Sequence, residues 1–299
     1  MKDQKKDSLI GISCALGCEI IYGLSYTFTK QATECASELA LLGWRFFIAA
    51  LIMSLCVLSG IIRIDLKGKS IRPLLIVALC SPCVYFTAET VGISHTTASE
   101  SGVILACIPV ASMIASTLIL KEKPAKVQVT GILITLAGVI ITVFAVSASS
   151  SLSAPGYLFL MVAVVSYALY SVFVEKGSEY TGTEITYVML LAGALFFVPL
   201  ALAEAGFDGS VAELIRLPFT KAGFLTAVLY QGIFCSVLAF FLANCAIAKI
   251  GVNRTASFIG ISTVVSILAS TALLHEAFTG YQILGVIVII AGVYTAQKL

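Results

Sequence analysis

One acidic side chain near the middle of the first apolar segment is the residue best placed to do chemistry in this chain. The segment covers about residues 8–29, and Glu19 lies close to its centre. Tyr22 and Tyr26 follow at spacings of three and seven residues, so all three side chains share one face of a helix. An ionised carboxylate between aromatic rings suits an organic cation, and a buried carboxyl group can exchange a proton for that cation. The alternative is a glutamate that only holds helices together.

Arg45 and Glu89 also carry charge into apolar segments, near the same end of the second and third segments. Tyr85 precedes Glu89 by four residues and therefore shares its helix face. Because the depths of Arg45 and Glu89 match, an ion pair between them is one interpretation. The other is that Arg45 binds a substrate carboxylate while Glu19 binds the amine, which would suit an amino acid or another zwitterion.

Several further polar and aromatic side chains could line a binding site between helices. They are Tyr167, Tyr170, Tyr230 and Gln231. Packing in the core or against lipid is the alternative for each of them, because aromatic residues at helical spacing commonly do both. His275 and Glu276 begin like a zinc-protease motif, but no second His follows at the needed spacing. No phosphate-binding loop occurs either, so we expect neither a metal nor a cofactor.

The composition indicates that a membrane protein must position these residues. Hydrophobic residues make up 59% of the chain and charged residues only 11%, against about 25% charged residues in an average soluble domain. A membrane span needs about 20 apolar residues. Ten such segments occur, near residues 8–29, 39–59, 73–92, 99–120, 127–146, 156–175, 184–203, 222–243, 254–274 and 280–297. The segment 204–221 is too polar to span and is predicted to be a loop with room for an interfacial helix.

The basic residues predict the orientation of these segments. If the N-terminus is cytoplasmic, 14 of the 18 Lys and Arg residues fall on the cytoplasmic side and three on the outer side, with Arg45 alone inside a span. Cytoplasmic loops carry an excess of Lys and Arg. The charge pattern therefore predicts cytoplasmic termini and a multi-pass protein of the cytoplasmic membrane.

An internal repeat divides the chain into two halves. Ser112–Val139 and Ser266–Val293 are identical at 11 of 28 positions without a gap. The halves would be residues 1–146 and 156–299, joined by an outer linker at 147–155. Five spans per half is an odd number, so the second half must be inverted relative to the first. The predicted fold is thus an all-α membrane protein of ten transmembrane helices in two inverted five-helix repeats.

Glycines spaced seven residues apart recur in the last segment of each half. They are Gly131 and Gly138 in the fifth segment, and Gly285 and Gly292 in the tenth. Small residues on one helix face allow two backbones to approach closely. We therefore expect these two segments to pack against each other or against a second subunit.

The chain resembles the EamA type of the drug/metabolite transporter superfamily over its whole length. The resemblance is carried by Trp44–Ala49, by Ser94–Val103, and by the turn Leu120–Glu122 with the two glycines that follow it in the fifth segment. It implies ten helices in two inverted halves and transport of a small metabolite, more often outward than inward. Substrates of the superfamily range from amino acids and sugars to cationic drugs.

The first segment alone resembles the first helix of the small multidrug resistance proteins. Gly11–Gly23 and the stretch to Lys30 share its single membrane Glu, its Gly four residues later and its outer Lys. That family's Glu binds protons and cationic substrates in turn. The resemblance implies the same role for Glu19.

These observations predict a secondary active transporter for a small amine-bearing metabolite, an organic cation or an amino acid, with Glu19 as the charge-selective and proton-coupled residue. Its partners would be the substrate, the lipid bilayer and protons, without nucleic acid, in a monomer or homodimer. A neutral or anionic substrate held mainly by Arg45 is the alternative within transport. An enzyme would need a nucleophile or metal cluster that the sequence lacks, and two inverted halves argue against a receptor or channel subunit.

Overall fold

The computed structural model describes residues 2–33, 35–96, 98–144, 153–177, 179–274 and 280–298. All regular structure in these ranges is helical, which confirms the all-α class. Residues 147–152 of the predicted linker, His275 and Glu276 lie outside this description, as does the side chain of Tyr26. The helices are α1 Lys2–Thr33, α2 Glu38–Leu58, α3 Arg72–Ala78, α4 Tyr85–Ser94, α5 Ala98–Leu105, α6 Ile108–Ile119, α7 Lys126–Phe144, α8 Ala154–Lys176, α9 Gly182–Phe207, α10 Val211–Thr220, α11 Ala222–Leu229, α12 Ala239–Ala256, α13 Gly260–Leu274 and α14 Gly280–Gln297, with π-helical segments at Leu79–Val84 and Tyr230–Leu238.

Most of these helices have the length and composition of membrane spans. Within the described residues, eight helical segments are long and apolar enough to cross a bilayer, and the ranges Lys126–Thr142 and Gly260–Ala269 form shorter apolar helices. The two shorter helices coincide with the fifth and ninth predicted segments. The chain is therefore a multi-span membrane protein, and the count of ten spans stays a prediction.

Two prolines lie at breaks in the third and fourth predicted segments. Pro82 lies in the π-helical segment between α3 and α4, next to Ser81, whose backbone is extended (φ −143°, ψ 120°). Pro109 lies in the first turn of α6, directly after the break that separates α5 from α6. A proline at the start of a helix is tolerated because its missing N–H would have no partner there. The third and fourth predicted segments are thus each built from two shorter helices.

A buried carboxylate fixes the start of α9. Thr181 caps the helix by accepting a hydrogen bond from the backbone N–H of Glu184 (3.2 Å), and the Glu184 side chain accepts one from the N–H of Thr181 (2.8 Å). The same carboxylate binds Lys69 Nζ (2.9 Å) and the backbone N–H of Asp65 (3.2 Å). The loop after α2 is therefore attached to the end of the bundle where α9 begins.

The polar stretch after α9 differs in part from its prediction. α9 continues to Phe207, past the predicted end near residue 203, because the polar residues Glu204 and Asp208 lie only at its last turn and at its C-cap. The short helix α10 then follows, and it is amphipathic. Most of residues 204–221 is thus helical rather than loop, and a helix is present where the sequence leaves room for one; its place at the membrane surface stays a prediction.

The glycine faces of α7 and α14 pack directly against each other, as the spacing of seven predicts. A Cβ atom added at Gly131 would meet the backbone of Ala296, and one added at Gly138 would meet Ile289. The partner's number falls as the glycine's number rises, so the two helices run antiparallel. In return, Gly285 lies against Thr142 and Gly292 against Thr135. In the 154-residue repeat, Gly131 corresponds to Gly285 and Gly138 to Gly292, while Thr142 corresponds to Ala296 and Thr135 to Ile289. The first two contacts are therefore equivalent to the last two, which gives this helix pair a local two-fold symmetry.

Candidate functional site

Glu19 lies on α1 where this helix packs against α12 and α13. Its side chain is buried, with 6% of its surface exposed, and it lies beside Ser262 of α13. α1 approaches α13 closely here because Gly23 has no side chain, and a Cβ atom at that position would meet the backbone oxygen of Ser262 at 2.7 Å. The Ser262 side chain is a hydrogen-bonding neighbour of the carboxyl group, and no ion pair to Glu19 is formed among the described residues. The carboxyl group is therefore buried without a charged partner.

Four residues that the sequence suggests for a binding site lie together between α4 and α8: Tyr85, Tyr167, Tyr170 and Glu89. The rings of Tyr85 and Tyr167 lie 5.6 Å apart edge to face, and those of Tyr167 and Tyr170 lie 5.4 Å apart. The Tyr85 hydroxyl donates a hydrogen bond of 2.8 Å to Glu89 Oε1. Tyr167 in turn lies close enough to Glu19 for the two groups to interact electrostatically. The aromatic group thus extends from Glu89 to the carboxyl group on α1.

Tyr22 faces the same aromatic group from α1, as its spacing from Glu19 predicts. Its hydroxyl interacts electrostatically with Tyr167, Tyr170 and Arg45. The ring also packs between α1 and the core around α8 and α9. Tyr22 therefore links Glu19 to the arginine on α2. The side chain of Tyr26, the third member of the predicted face, lies outside the described residues.

Arg45 is a buried cation with one free nitrogen. Its side chain is 5% exposed, and its Nε donates a hydrogen bond of 2.7 Å to Ser236 Oγ in the second π-helical segment. The guanidinium carbon lies 4.6 Å from the centre of the Phe86 ring and 5.4 Å from that of Phe46. Its Nη2 atom is buried and has no hydrogen-bond partner. Ser236 and the two rings hold the guanidinium in place while leaving Nη2 available.

The ion pair that the sequence suggested between Arg45 and Glu89 is not formed. Among the described residues, the ion pairs are those of Lys69 with Glu184 and of Lys249 with Asp7. Glu89 is instead satisfied by Tyr85, and Arg45 by Ser236. The two charges still attract each other at longer range. Each of the two charged groups is therefore held by an uncharged neighbour rather than by the other.

Tyr170 has a hydrogen-bond partner that favours a structural role. Its hydroxyl donates a hydrogen bond of 2.7 Å to Asn244 Oδ1, and Asn244 Nδ2 donates to Thr186 Oγ1 (3.0 Å) and lies 3.5 Å from Met189 Sδ. Tyr170 is only 2% exposed. This buried network joins α8, α9 and α12. By contrast, no hydrogen bond of the Tyr167 hydroxyl is formed within the described residues.

Tyr230 and Gln231 bind α1 rather than joining the aromatic group. The Tyr230 hydroxyl donates a hydrogen bond of 2.9 Å to the backbone oxygen of Ile21, and its ring stacks on Phe28 at 4.1 Å. Gln231 Nε2 donates to the hydroxyl of Thr29. These contacts position α1 against the second π-helical segment, and hence position the helix that carries Glu19.

Sequence reasoning missed Phe86 and Ser236, which hold Arg45. Phe86 is adjacent to Tyr85, and Ser236 is a small polar residue in the apolar run Gln231–Leu238. Neither has a spacing that points to Arg45, because α2, α4 and the second π-helical segment are distant in sequence. The signal that could have been used is the need of a buried arginine for hydrogen-bond acceptors and aromatic faces.

The arrangement can bind a small molecule that carries opposite charges. Glu19 is buried without a charged partner, and Arg45 Nη2 is buried without a hydrogen-bond partner among the described residues. Tyr22 interacts with Arg45, and Tyr167 interacts with both Tyr22 and Glu19. A buried charge without a partner is unfavourable. A ligand with an amine and a carboxylate would relieve both groups at once.

Comparisons with known proteins give one family. The sequence matches the EamA-like transporter family twice, over residues 9–144 and 154–296. The "Uncharacterized transporter YcxC" of Bacillus subtilis (strain 168) is 31% identical over 275 residues, which cover 91% of this chain and 88% of that protein. The "Uncharacterized transporter YetK" of the same organism is 28% identical over 300 residues, which cover 97% and 87%.

Two further similarities are to a protein whose name states an activity and, separately, to a solved crystal structure. The "Probable amino-acid metabolite efflux pump" of Salmonella typhimurium is 22% identical over 187 residues, which cover 61% of this chain and 62% of that protein. A solved crystal structure shares 18% identity and a TM-score of 0.77, covering 98% of this chain and 96% of its own. The fold is therefore shared with that structure over nearly the whole chain.

Proposed function

Because this chain belongs to the EamA-like transporter family, we propose that it carries a small amine-bearing metabolite across the cytoplasmic membrane by secondary transport. The substrate class that fits best is a zwitterion such as an amino acid. Glu19 binds the amine, Arg45 binds the carboxylate, and the aromatic rings of Tyr22, Tyr85 and Tyr167 enclose the carbon skeleton.

The observation that carries this proposal is the pair of buried charged groups without a charged partner. Arg45 Nη2 has no hydrogen-bond partner among the described residues, and Glu19 has a neutral neighbour, Ser262, but no ion pair there. Removing one partner of a buried ion pair destabilises a protein by about 3–5 kcal/mol. Tyr22 interacts with Arg45 and Tyr167 interacts with Glu19, so a ligand that lies along these tyrosines supplies the missing charge to both groups. The efflux pump among the relatives supports an amino-acid-like substrate and outward transport.

The topology that we propose is two inverted halves of five spans with cytoplasmic termini. The antiparallel, locally two-fold pair α7 and α14 supports it, as does the match of the family to each half. The site draws α1, α2 and α4 from the first half and α8 and α13 from the second. A site between inverted halves is reached from either side as the halves rock. The glycine faces of α7 and α14 are already used within the chain, which favours a monomer over a dimer built on them.

Proton coupling through Glu19 completes the mechanism. Only the ionised carboxylate attracts an amine, so a proton and the substrate compete for one group. Substrate release on one side would then be followed by protonation, and the proton would leave on the other side. Each cycle exchanges one substrate for one proton, and the proton gradient drives export.

A thermal-shift screen of the purified protein tests the substrate class. It compares amino acids, amines, quaternary ammonium compounds, anionic metabolites and neutral metabolites. A ligand at a hundredfold excess over its Kd stabilises the folded state by about 2.7 kcal/mol. We expect amino acids to stabilise the wild type most, and Glu19→Gln and Arg45→Gln each to abolish that stabilisation. Glu213→Gln, on the exposed face of α10, is the matched control and should respond like the wild type.

The same screen separates the alternatives. If amines and quaternary ammonium compounds act as well as amino acids and Arg45→Gln is without effect, the substrate is an organic cation. If neutral or anionic metabolites stabilise the wild type and Glu19→Gln equally, Arg45 is the main contact and the amine-bearing class is wrong. Arg45 Nη2 favours the anionic alternative over the neutral one, because a free guanidinium nitrogen attracts a carboxylate.

A further inference from the structure

A second, wholly apolar cleft lies away from the charged site. It has a volume of about 140 Å³ and opens between α2, α9 and α10. Trp44 and Phe47 line it from α2, Val198 and Leu202 from α9, and Leu214 and Ile215 from α10. A lining without a charged or hydrogen-bonding side chain selects an apolar ligand or part of one.

The inner end of the cleft is set by a close helix crossing. A Cβ atom added at Gly43 would lie 2.7 Å from Cβ of Ala201, so α2 and α9 touch there with no space between them. Farther along, the larger side chains keep α10 away from the pair. The cleft is therefore a slot that is closed at the helix crossing and open at its side.

Hydrogen bonds hold the wall of the cleft in place. The indole N–H of Trp44 donates a hydrogen bond of 2.9 Å to the backbone oxygen of Leu214, which attaches α2 to α10. Ser37 Oγ donates one of 2.5 Å to Glu204 Oε2, which attaches the start of α2 to the end of α9. With its only polar atom bonded, the Trp44 ring presents an apolar face, and it contacts Phe47 edge to face at 5.7 Å.

α10 has the character of a helix at the membrane surface. Phe219 at its end is 83% exposed, and Phe207 just before it is 93% exposed, which suits burial in lipid. Arg216 follows the cleft residue Ile215, and Lys221 ends the helix; both side chains are exposed. Amphipathic helices of this kind lie in the boundary between headgroups and acyl chains.

We propose that the cleft binds one acyl chain of an anionic membrane phospholipid. α2 and α9 are both apolar enough to span the bilayer, so lipid chains are the medium to which the cleft opens. Arg216 and Lys221 are exposed, and Arg216 follows the cleft residue Ile215, so these side chains supply positive charge for a phosphate headgroup. A segment of the bound chain lies in the cleft, and the headgroup holds α10 at the surface.

Tryptophan fluorescence can test this directly, because Trp44 is the single Trp of the chain. The full-length protein is reconstituted in phosphatidylcholine bilayers that contain increasing fractions of phosphatidylglycerol brominated on its acyl chains. Bromine atoms in contact with the indole quench it. Each basic side chain near an anionic lipid contributes about fivefold in affinity. We expect half-maximal quenching at a brominated fraction at least about fivefold lower than with brominated phosphatidylcholine.

Two variants of one helix provide the matched comparison. Val198→Phe narrows the cleft, whereas Leu195→Phe adds the same ring to an exposed position of α9. We expect Val198→Phe to reduce quenching by phosphatidylglycerol to the phosphatidylcholine level, and Leu195→Phe to leave it unchanged. Thermal unfolding of both variants shows that they are folded. Quenching that follows the bulk brominated fraction equally for both lipids, and is the same in Val198→Phe, would overturn the proposal.

Discussion

Arg45 shows how a buried charge can be held without being neutralised. Ser236 accepts a hydrogen bond from Nε, and the Phe86 ring lies under the guanidinium, but Nη2 is left free. Each of these neighbours is uncharged. A carboxylate at that place would form an ion pair and remove the attraction for a ligand. The neutral neighbours keep the positive charge available, which is what recognition of an anionic group requires.

Tyr167 and Tyr170, three residues apart on α8, should respond differently to loss of their hydroxyl groups. Tyr170→Phe leaves Asn244 Oδ1 without its donor in the core, so we expect a loss of about 1 kcal/mol of folding free energy and no change in substrate affinity. Tyr167→Phe removes a hydroxyl that has no hydrogen bond in the described residues. We expect it to keep the stability and to weaken binding. Thermal unfolding and ligand-induced thermal shifts of the two variants measure both quantities.

These variants serve as each other's controls, since they delete the same atom from one helix three residues apart. The assignment is wrong if Tyr170→Phe weakens binding while the unfolding temperature stays at the wild-type value. It is also wrong if Tyr167→Phe lowers stability without affecting binding.

The sequence identifies the chemistry of these residues better than their roles. Burial of Glu19 and Arg45 follows from their place in apolar segments, and the shared face of Glu19 and Tyr22 follows from helical spacing. Which tyrosine is structural depends on its partner, and Asn244 is 74 residues from Tyr170. Ser236 is even farther from Arg45, at 191 residues. Such pairs are set by tertiary packing, which no local pattern records.

At the level of elements, helix breaks and helix contacts have local causes that the sequence contains. Pro82 and Pro109 interrupt two helices, and glycines seven apart predict the contact between α7 and α14. Helix ends are less well predicted. α9 extends to Phe207 because the polar residues near its C-terminal end, Glu204 and Asp208, lie only at its last turn and C-cap, whereas the sequence pattern ends the apolar run near residue 203. A terminal turn that leaves the bilayer can be polar and still helical.

One methyl group added in the contact of α7 with α14 should lower the stability of the protein more than larger side-chain changes at exposed positions. In Gly138→Ala the new Cβ would lie 2.7 Å from the backbone nitrogen of Ile289 and 2.9 Å from the backbone oxygen of Gly285. Backbone atoms cannot rotate away, so the helices must separate. Overpacking of this kind costs about 1–3 kcal/mol. We expect a lower unfolding temperature for this variant, measured by tryptophan fluorescence or by differential scanning calorimetry.

Gly206→Ala is the matched control, because it adds the same methyl group to a helical glycine with open space around it. Alanine favours the helix over glycine by about 1 kcal/mol. This control should be as stable as the wild type or more so. If both variants unfold at the same temperature, the glycine face of α7 is not in tight contact with α14.

At the level of the whole molecule, the two halves meet at the charged site and at a polar contact nearer the ends of their helices. Asn253 Nδ2, in the second half, donates a hydrogen bond of 3.2 Å to Ser116 Oγ, in the first half. Both side chains are buried. α6 ends close by, before Lys121 and Lys123, on the side that the basic residues assign to the cytoplasm. If the predicted orientation holds, this contact lies on the cytoplasmic side of the proposed site, and we predict that it acts as a gate there.

Transport by rocking of two halves requires this contact to open in every cycle, so a covalent bond across it should stop transport. Ser116→Cys with Asn253→Cys, in a cysteine-free background, should form a disulfide under oxidising conditions. We expect uptake into liposomes to fall to background and to recover when the disulfide is reduced. The control is Thr186→Cys with Asn244→Cys, because those residues are also hydrogen-bonded but lie within one half. If the cross-linked Ser116→Cys/Asn253→Cys variant transports as fast as the same variant after its disulfide has been reduced, the halves do not separate at this contact. That outcome would exclude the contact as a cytoplasmic gate.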